Sequence, residues 1–143
     1  KGAVDKMVDI AVTAISMGAT LEDVENMDLA YAPPFSTAIH PFCHTVNVLL
    51  NKISGTFETL TPAAYTAGEA EDYKIIDVSL NPSIEGAPYI DLTKVTEFSK
   101  DEKLLLVCTK GRRAYLLQNR LKNFGYNHTL VLEGGTTFNE VTL

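Results

Sequence analysis

Cys108 is followed by Thr109, Lys110, Gly111, Arg112 and Arg113, so a thiol enters a short loop that carries one glycine and three cations. The thiolate is the nucleophilic form of cysteine, and it is favoured by nearby cations and by the unpaired N–H groups of a helix N-terminus. Gly111 lets such a loop curl until successive N–H groups converge on the sulfur as an anion-binding nest. Arg113 can bind loop carbonyls or an anionic substrate through its planar fork, a role that lysine fills poorly. Lys110 and Arg112 would attract anionic substrate to the rim, and Thr109 completes the loop. The chemistry open to this set is nucleophilic attack by Cys108, with loop N–H groups holding the charge.

The elements that must position this loop are legible on both sides of it. Lys103-Leu104-Leu105-Leu106-Val107 is an unbroken apolar run, which suits a strand buried on both faces. After the loop, apolar residues at 117, 121 and 124 have helical spacing. The thiol therefore sits between the carboxyl end of a strand and the amino end of a helix, where open α/β sheets place their ligands.

At 143 residues the chain is long enough for one proper core with an appendage. A hydrophobic content of 45% with 21% charged residues is that of an ordinary globular protein. The sequence has no apolar run of membrane-spanning length and no signal segment, so a cytoplasmic location is expected, with no membrane partner. A net charge of −6 argues against nucleic acid as a partner. Yet seven of the twelve Lys and Arg residues fall between 100 and 122, from which a local positive field near Cys108 is expected. Cys43 and Cys108 have neither disulfide-framework nor metal-site spacing, and no metal is expected.

In chain order, apolar residues at 4, 7, 8, 11, 12 and 15 predict a helix with one broad apolar stripe, stopped at Gly18. Thr20 to Asp23 is a capping-box-like start to a short second helix, reaching about Met27. Paired prolines keep 28–36 extended, and a third helix is predicted from about Pro41 to Ile53. These helices lack strands among them and should dock on something else. Thr56 to Thr61 reads as a linker, and Thr61-Pro62 opens another short helix. Strands are then predicted at 74–78, 103–107 and 129–132, alternating with helices at 91–98 and 112–124 and a short one after Gly134-Gly135. This alternation implies a parallel sheet flanked by helices. The expected domains are 1–57 and 58–143.

Cys-Thr-Lys-Gly-Arg-Arg resembles the active-site loop of the rhodanese family, C-x-x-G-x-R, with Cys108, Gly111 and Arg113 on its defined positions. Ile75-Ile76-Asp77-Val78 looks like that family's first-strand signature, and Leu132-Glu133-Gly134-Gly135 like its late strand-to-turn segment. The resemblance covers about 61–143 and implies sulfur transfer through a persulfide on Cys108, with Arg113 in the loop. Sulfur-handling rhodaneses have four residues between the cysteine and this arginine, as here, and related phosphatases have five. Two departures stand out. Ser79 replaces the usual arginine after Ile-Asp-Val, and the following segment is reduced to 84–90, which puts thiosulfate in doubt as the natural donor.

Tyr31-Ala32-Pro33-Pro34-Phe35-Ser36 resembles a motif near the end of the dimerisation domain of FAD-dependent pyridine nucleotide-disulfide oxidoreductases, in the coenzyme A disulfide reductase branch. Gly2 to Lys6 and Asn51 fit the same pattern. The resemblance implies a C-terminal fragment of a longer, homodimeric reductase, with FAD, NAD(P)H and coenzyme A in the parent and a flavin domain as partner. Tyr31 would reach across the dimer towards the partner's redox cysteine. Substrates would be polysulfide, coenzyme A persulfide or another low-molecular-weight thiol. The sequence contains no Gly-x-Gly-x-x-Gly, so FAD and NAD(P)H sites are not expected in this chain. The alternative is a silent rhodanese fold used for dimerisation or docking. Cys43 is read as a packed helix residue, and His40 and His44 as non-ligands.

Overall fold

The computed structural model describes residues 4–35, 37–91 and 98–142. The chain divides into two compact units, Lys1–Gly55 and Thr56–Leu143.

The first unit contains α1 (Val4–Ser16), α2 (Leu21–Glu25) and α3 (Pro41–Ile53). Thr20 and Asp23 close a reciprocal capping box at the start of α2, satisfying two otherwise orphaned N–H groups. His40 caps α3, its Nδ1 accepting from the N–H of Phe42 at 3.3 Å. Ala14, Val24 and Val46 form a small core with Leu21, Met27, Phe42 and Leu50 around it. The broad stripe expected on α1 is divided. Residues 7, 10, 11 and 14 turn inward to differing degrees, whereas Val4, Val8, Val12 and Ile15 are exposed. Three short helices offer too little surface to cover both edges of such a stripe. Gly2, Ala3 and Ser36 of the two N-terminal motifs lie outside the described residues.

The second unit is built on a four-stranded parallel sheet of order β1-β4-β3-β2, from β1 (Thr59–Leu60), β2 (Lys74–Asp77), β3 (Leu104–Val107) and β4 (Thr129–Leu132). Its helices are α4 (Pro62–Thr66), α5 (Arg112–Asn123) and α6 (Gly135–Phe138). The alternation of strands and helices is thus realised as an α/β fold with a parallel sheet. The segment read as a linker instead contributes an edge strand, with Thr59 beside Val131 and Leu60 beside Leu132. Two residues are too short to show a strand period. Gln118, fully buried on α5, holds this edge by donating to the carbonyls of Glu58 and Thr129 and accepting from the N–H of Glu58. On α5 the inward face is Ala114, Leu117, Gln118 and Leu121, while Phe124 is 52% exposed. The helix expected over 91–98 falls largely on 92–97, outside the described residues.

The shortened segment 84–90 still docks on the sheet. Ile84 and Ile90 are buried, the N–H of Asp77 donates to the Pro88 carbonyl at 2.9 Å, and the N–H of Ile90 donates to the Asp77 carbonyl at 3.0 Å. Among the described residues no helix is long and apolar enough to cross a membrane.

Candidate active site at the Cys108 loop

Side-chain alternation along β3 decides where the thiol points. Leu104 and Leu106 share a core with Ala114, Leu117 and Leu121 of α5, Leu105 and Val107 belong to the core on the opposite face, and Cys108 returns to the α5 side. The sulfur is thereby carried under the amino end of α5, in a residue only 3% exposed. There the N–H of Gly111 donates to Sγ at 3.1 Å. Gly111 caps α5 with φ 93°, and nothing lies within 4 Å of where a Cβ would stand. The loop thus needs glycine for its backbone conformation, not for space.

Arg113, in the first turn of α5, reaches across to the residue after β2. Its Nε donates to the Val78 carbonyl at 2.8 Å, and Nη2 stands 3.9 Å from Oδ2 of Asp91. The carbonyl it binds belongs to the residue after β2, not to the 108–113 loop. Thr109, Lys110 and Arg112 are exposed at the rim.

Val78 is itself held by its neighbours. Asp77, with no exposed surface, accepts from the N–H groups of Ser79 and Ile84 at 2.9 Å each and from the N–H of Ser83. Burial pushes its carboxyl up, but the hydrogen bonds from Ser79, Ser83 and Ile84 outweigh that, and the group titrates below the usual aspartate value. Ser79 and Ser83 share a hydroxyl hydrogen bond at 2.6 Å. The residue that departs from the rhodanese pattern is therefore a buried member of a closed polar cage behind Arg113.

The far side of the loop rests on α6. The N–H of Thr136 donates to the Cys108 carbonyl at 3.1 Å, and Thr137 donates to the Thr109 carbonyl through its N–H at 3.0 Å and its Oγ1 at 2.6 Å. A Cβ on Gly135 would lie 1.7 Å from the Cys108 oxygen, so only glycine permits this approach.

The expected positive field narrows to Lys110, Arg112 and Arg113. Lys103 immediately precedes β3, at the opposite end from Cys108, and pairs with Asp72; Lys122 lies near the end of α5 and pairs with Glu58 at 3.4 Å. A strand and a helix each carry sequence neighbours to opposite ends of the domain. A groove of about 890 Å³ lined by Tyr65, Tyr73, Pro88 and Phe138 includes no residue of the 108–113 loop.

The structure thus brings Gly111 against Cys108, while the Arg113 side chain engages Val78 and Asp91. Tyr31 belongs to the first unit, where it is 60% exposed. Cys43 is buried on α3, and no metal-binding group of His, Cys, Asp and Glu occurs among the described residues. Sequence reasoning missed the Asp77–Ser83 cage and the donors of α6. The signals were the serines spaced four apart after the first-strand signature and the Thr-Thr pair after Gly134-Gly135.

No protein-family model matches the chain. It is 32% identical over 77 residues to the mitochondrial thiosulfate sulfurtransferase RDL2 of Saccharomyces cerevisiae, covering 48% of this chain and 52% of that protein. Among solved structures it is similar to a NAD-dependent persulfide reductase from A. fulgidus, with TM-score 0.77 and 33% identity over 94% of this chain and 25% of that one. It is also similar to the reduced CoADR-RHD of Bacillus anthracis, with TM-score 0.81 and 26% identity over 92% of this chain and 25% of that one. The chain thus spans about half of the curated relative and a quarter of each reductase. The parallel sheet with its flanking helices is a rhodanese-like α/β fold, and the chain as a whole resembles a C-terminal rhodanese-like fragment, similar to part of a NAD-dependent persulfide reductase and part of CoADR-RHD, a coenzyme A disulfide reductase.

Proposed function

We propose that Cys108 carries a single sulfur as a cysteine persulfide, taken from polysulfide, coenzyme A persulfide or another low-molecular-weight persulfide. The Cys108 thiolate attacks the outer sulfur of the donor. A bond forms between Sγ and that sulfur, the donor's S–S bond breaks, and the donor departs as a thiolate with the electron pair. An acceptor thiolate then attacks the carried sulfur and releases Cys108 as the thiolate, with no net oxidation. The observation that carries this reading is the Gly111 N–H donated to Sγ at 3.1 Å, in a loop whose arginine already binds the Val78 carbonyl. Lys110 and Arg112 at the rim suit an anionic donor.

The similarity to two reductases four times as long supports a parent enzyme of that kind; a homodimer with Tyr31 directed to the partner's site, and FAD and NAD(P)H supplying electrons, follow from the resemblance of residues 31–36 alone. Among the described residues, the starts of α5 and α6 do not fit those two groups. α5 opens behind the Cys108 loop rather than a Gly-x-Gly-x-x-Gly turn, and the amino end of α6 is filled by the Cys108 and Thr109 carbonyls.

The test is mass spectrometry of the full chain after polysulfide treatment. One added sulfur on the Cys108 peptide, absent from Cys108→Ser, is the expected result. No adduct on that peptide would overturn the proposal.

A further inference from the structure

We infer that α6 positions the Cys108 cradle and that the Thr137 hydroxyl is a positioning residue for it, an inference that rests on Cys108 being the reactive nucleophile. Two successive loop carbonyls, those of Cys108 and Thr109, are both turned towards α6 by its N–H groups. A trans peptide is planar, with its C=O and N–H pointing in opposite directions. Holding the Cys108 carbonyl on α6 therefore turns the Thr109 N–H away from it, and holding the Thr109 carbonyl does the same for the Lys110 N–H. One residue further on, the Gly111 N–H meets Sγ at 3.1 Å.

The free rotation of Gly111 makes this anchoring necessary, because a loop ending in glycine does not fix its own peptide planes. Gly135 makes the anchoring attainable, since it alone lets the α6 backbone come against the Cys108 oxygen. Thr137 adds a second donor to the Thr109 carbonyl, so both lone pairs of that oxygen are engaged. Thr137 is exposed, and its hydroxyl would otherwise bond to water. Its contact with Thr109 orients the loop without filling a core.

The experiment compares the full chain with Thr137→Val and Thr137→Ser. Alkylation of the Cys108 peptide by iodoacetamide is followed by mass spectrometry across pH, with no sulfur donor present. Thr137→Val is expected to slow alkylation at neutral pH by about three- to tenfold, the worth of one hydrogen bond, and to move the pH profile upward. Thr137→Ser is expected to restore both. A wild-type rate and profile in Thr137→Val, or a Thr137→Ser that behaves like valine, overturns the inference. Thr137→Ala carries the same expectations should valine not fold. Because no donor is used, a moved profile together with no persulfide in the polysulfide experiment would refute sulfur carriage alone.

Discussion

The carbonyl oxygen of Cys108 lies 1.7 Å from where a Cβ would stand on Gly135, closer than any real side chain tolerates. The Thr109 carbonyl carbon would be 2.8 Å from the same point. Two backbone segments are in contact here, the end of β3 and the start of α6. The loop that presents the thiol is therefore half of a joint, and its other half lies 27 residues further along the chain.

Gly135→Ala must push that joint apart, because the obstructing atoms are backbone and cannot rotate away. It is expected to cost about 2–3 kcal/mol and to abolish sulfur uptake at Cys108. Gly111→Ala strains a left-handed backbone in open space, and about 1–2 kcal/mol is expected there. Denaturant melts of both variants check the order.

Arg113→Ala removes the donor to the Val78 carbonyl and is expected to cost about 1–2 kcal/mol, with slower sulfur uptake. Arg113→Lys should recover little of either, because the bond is made by Nε, which an ammonium group on a different stem does not reproduce. Uptake rates on Cys108 in the two variants decide this.

The depressed titration of Asp77 ties stability to acid pH. A carboxyl whose folded value lies below its unfolded value, about 3.9 for aspartate, contributes stability that is complete above the unfolded value. That contribution is lost as pH falls through the folded value. Asp77→Asn should remove this part of the acid dependence, seen as a flatter midpoint-versus-pH curve below about pH 4. It should also lower stability at neutral pH, since a neutral amide is a weaker acceptor for the three N–H donors now on the carboxylate.

Much of the domain was legible because its signals are local. The apolar run of β3, the 3.6-residue pattern of α5, the Thr61-Pro62 helix start and the Thr20 capping box are all decided within a few residues of themselves. α3 and β4 run between the residues the pattern predicts, Pro41–Ile53 and Thr129–Leu132. β1 was not legible, because two residues become a strand only through the neighbouring β4.

By itself the sequence determined that a cysteine ends a buried strand, that a glycine and an arginine follow at set intervals, and that strands and helices alternate around them. Local propensity and period carry that information. Only the tertiary structure decided which cations stay at the loop, that Arg113 spends its Nε on Val78, that Ser79 joins Asp77 in a buried cage, and that α6 grips the carbonyls of Cys108 and Thr109. Those relationships join residues distant in sequence, and the parallel crossovers of the sheet bring them to one end of the domain.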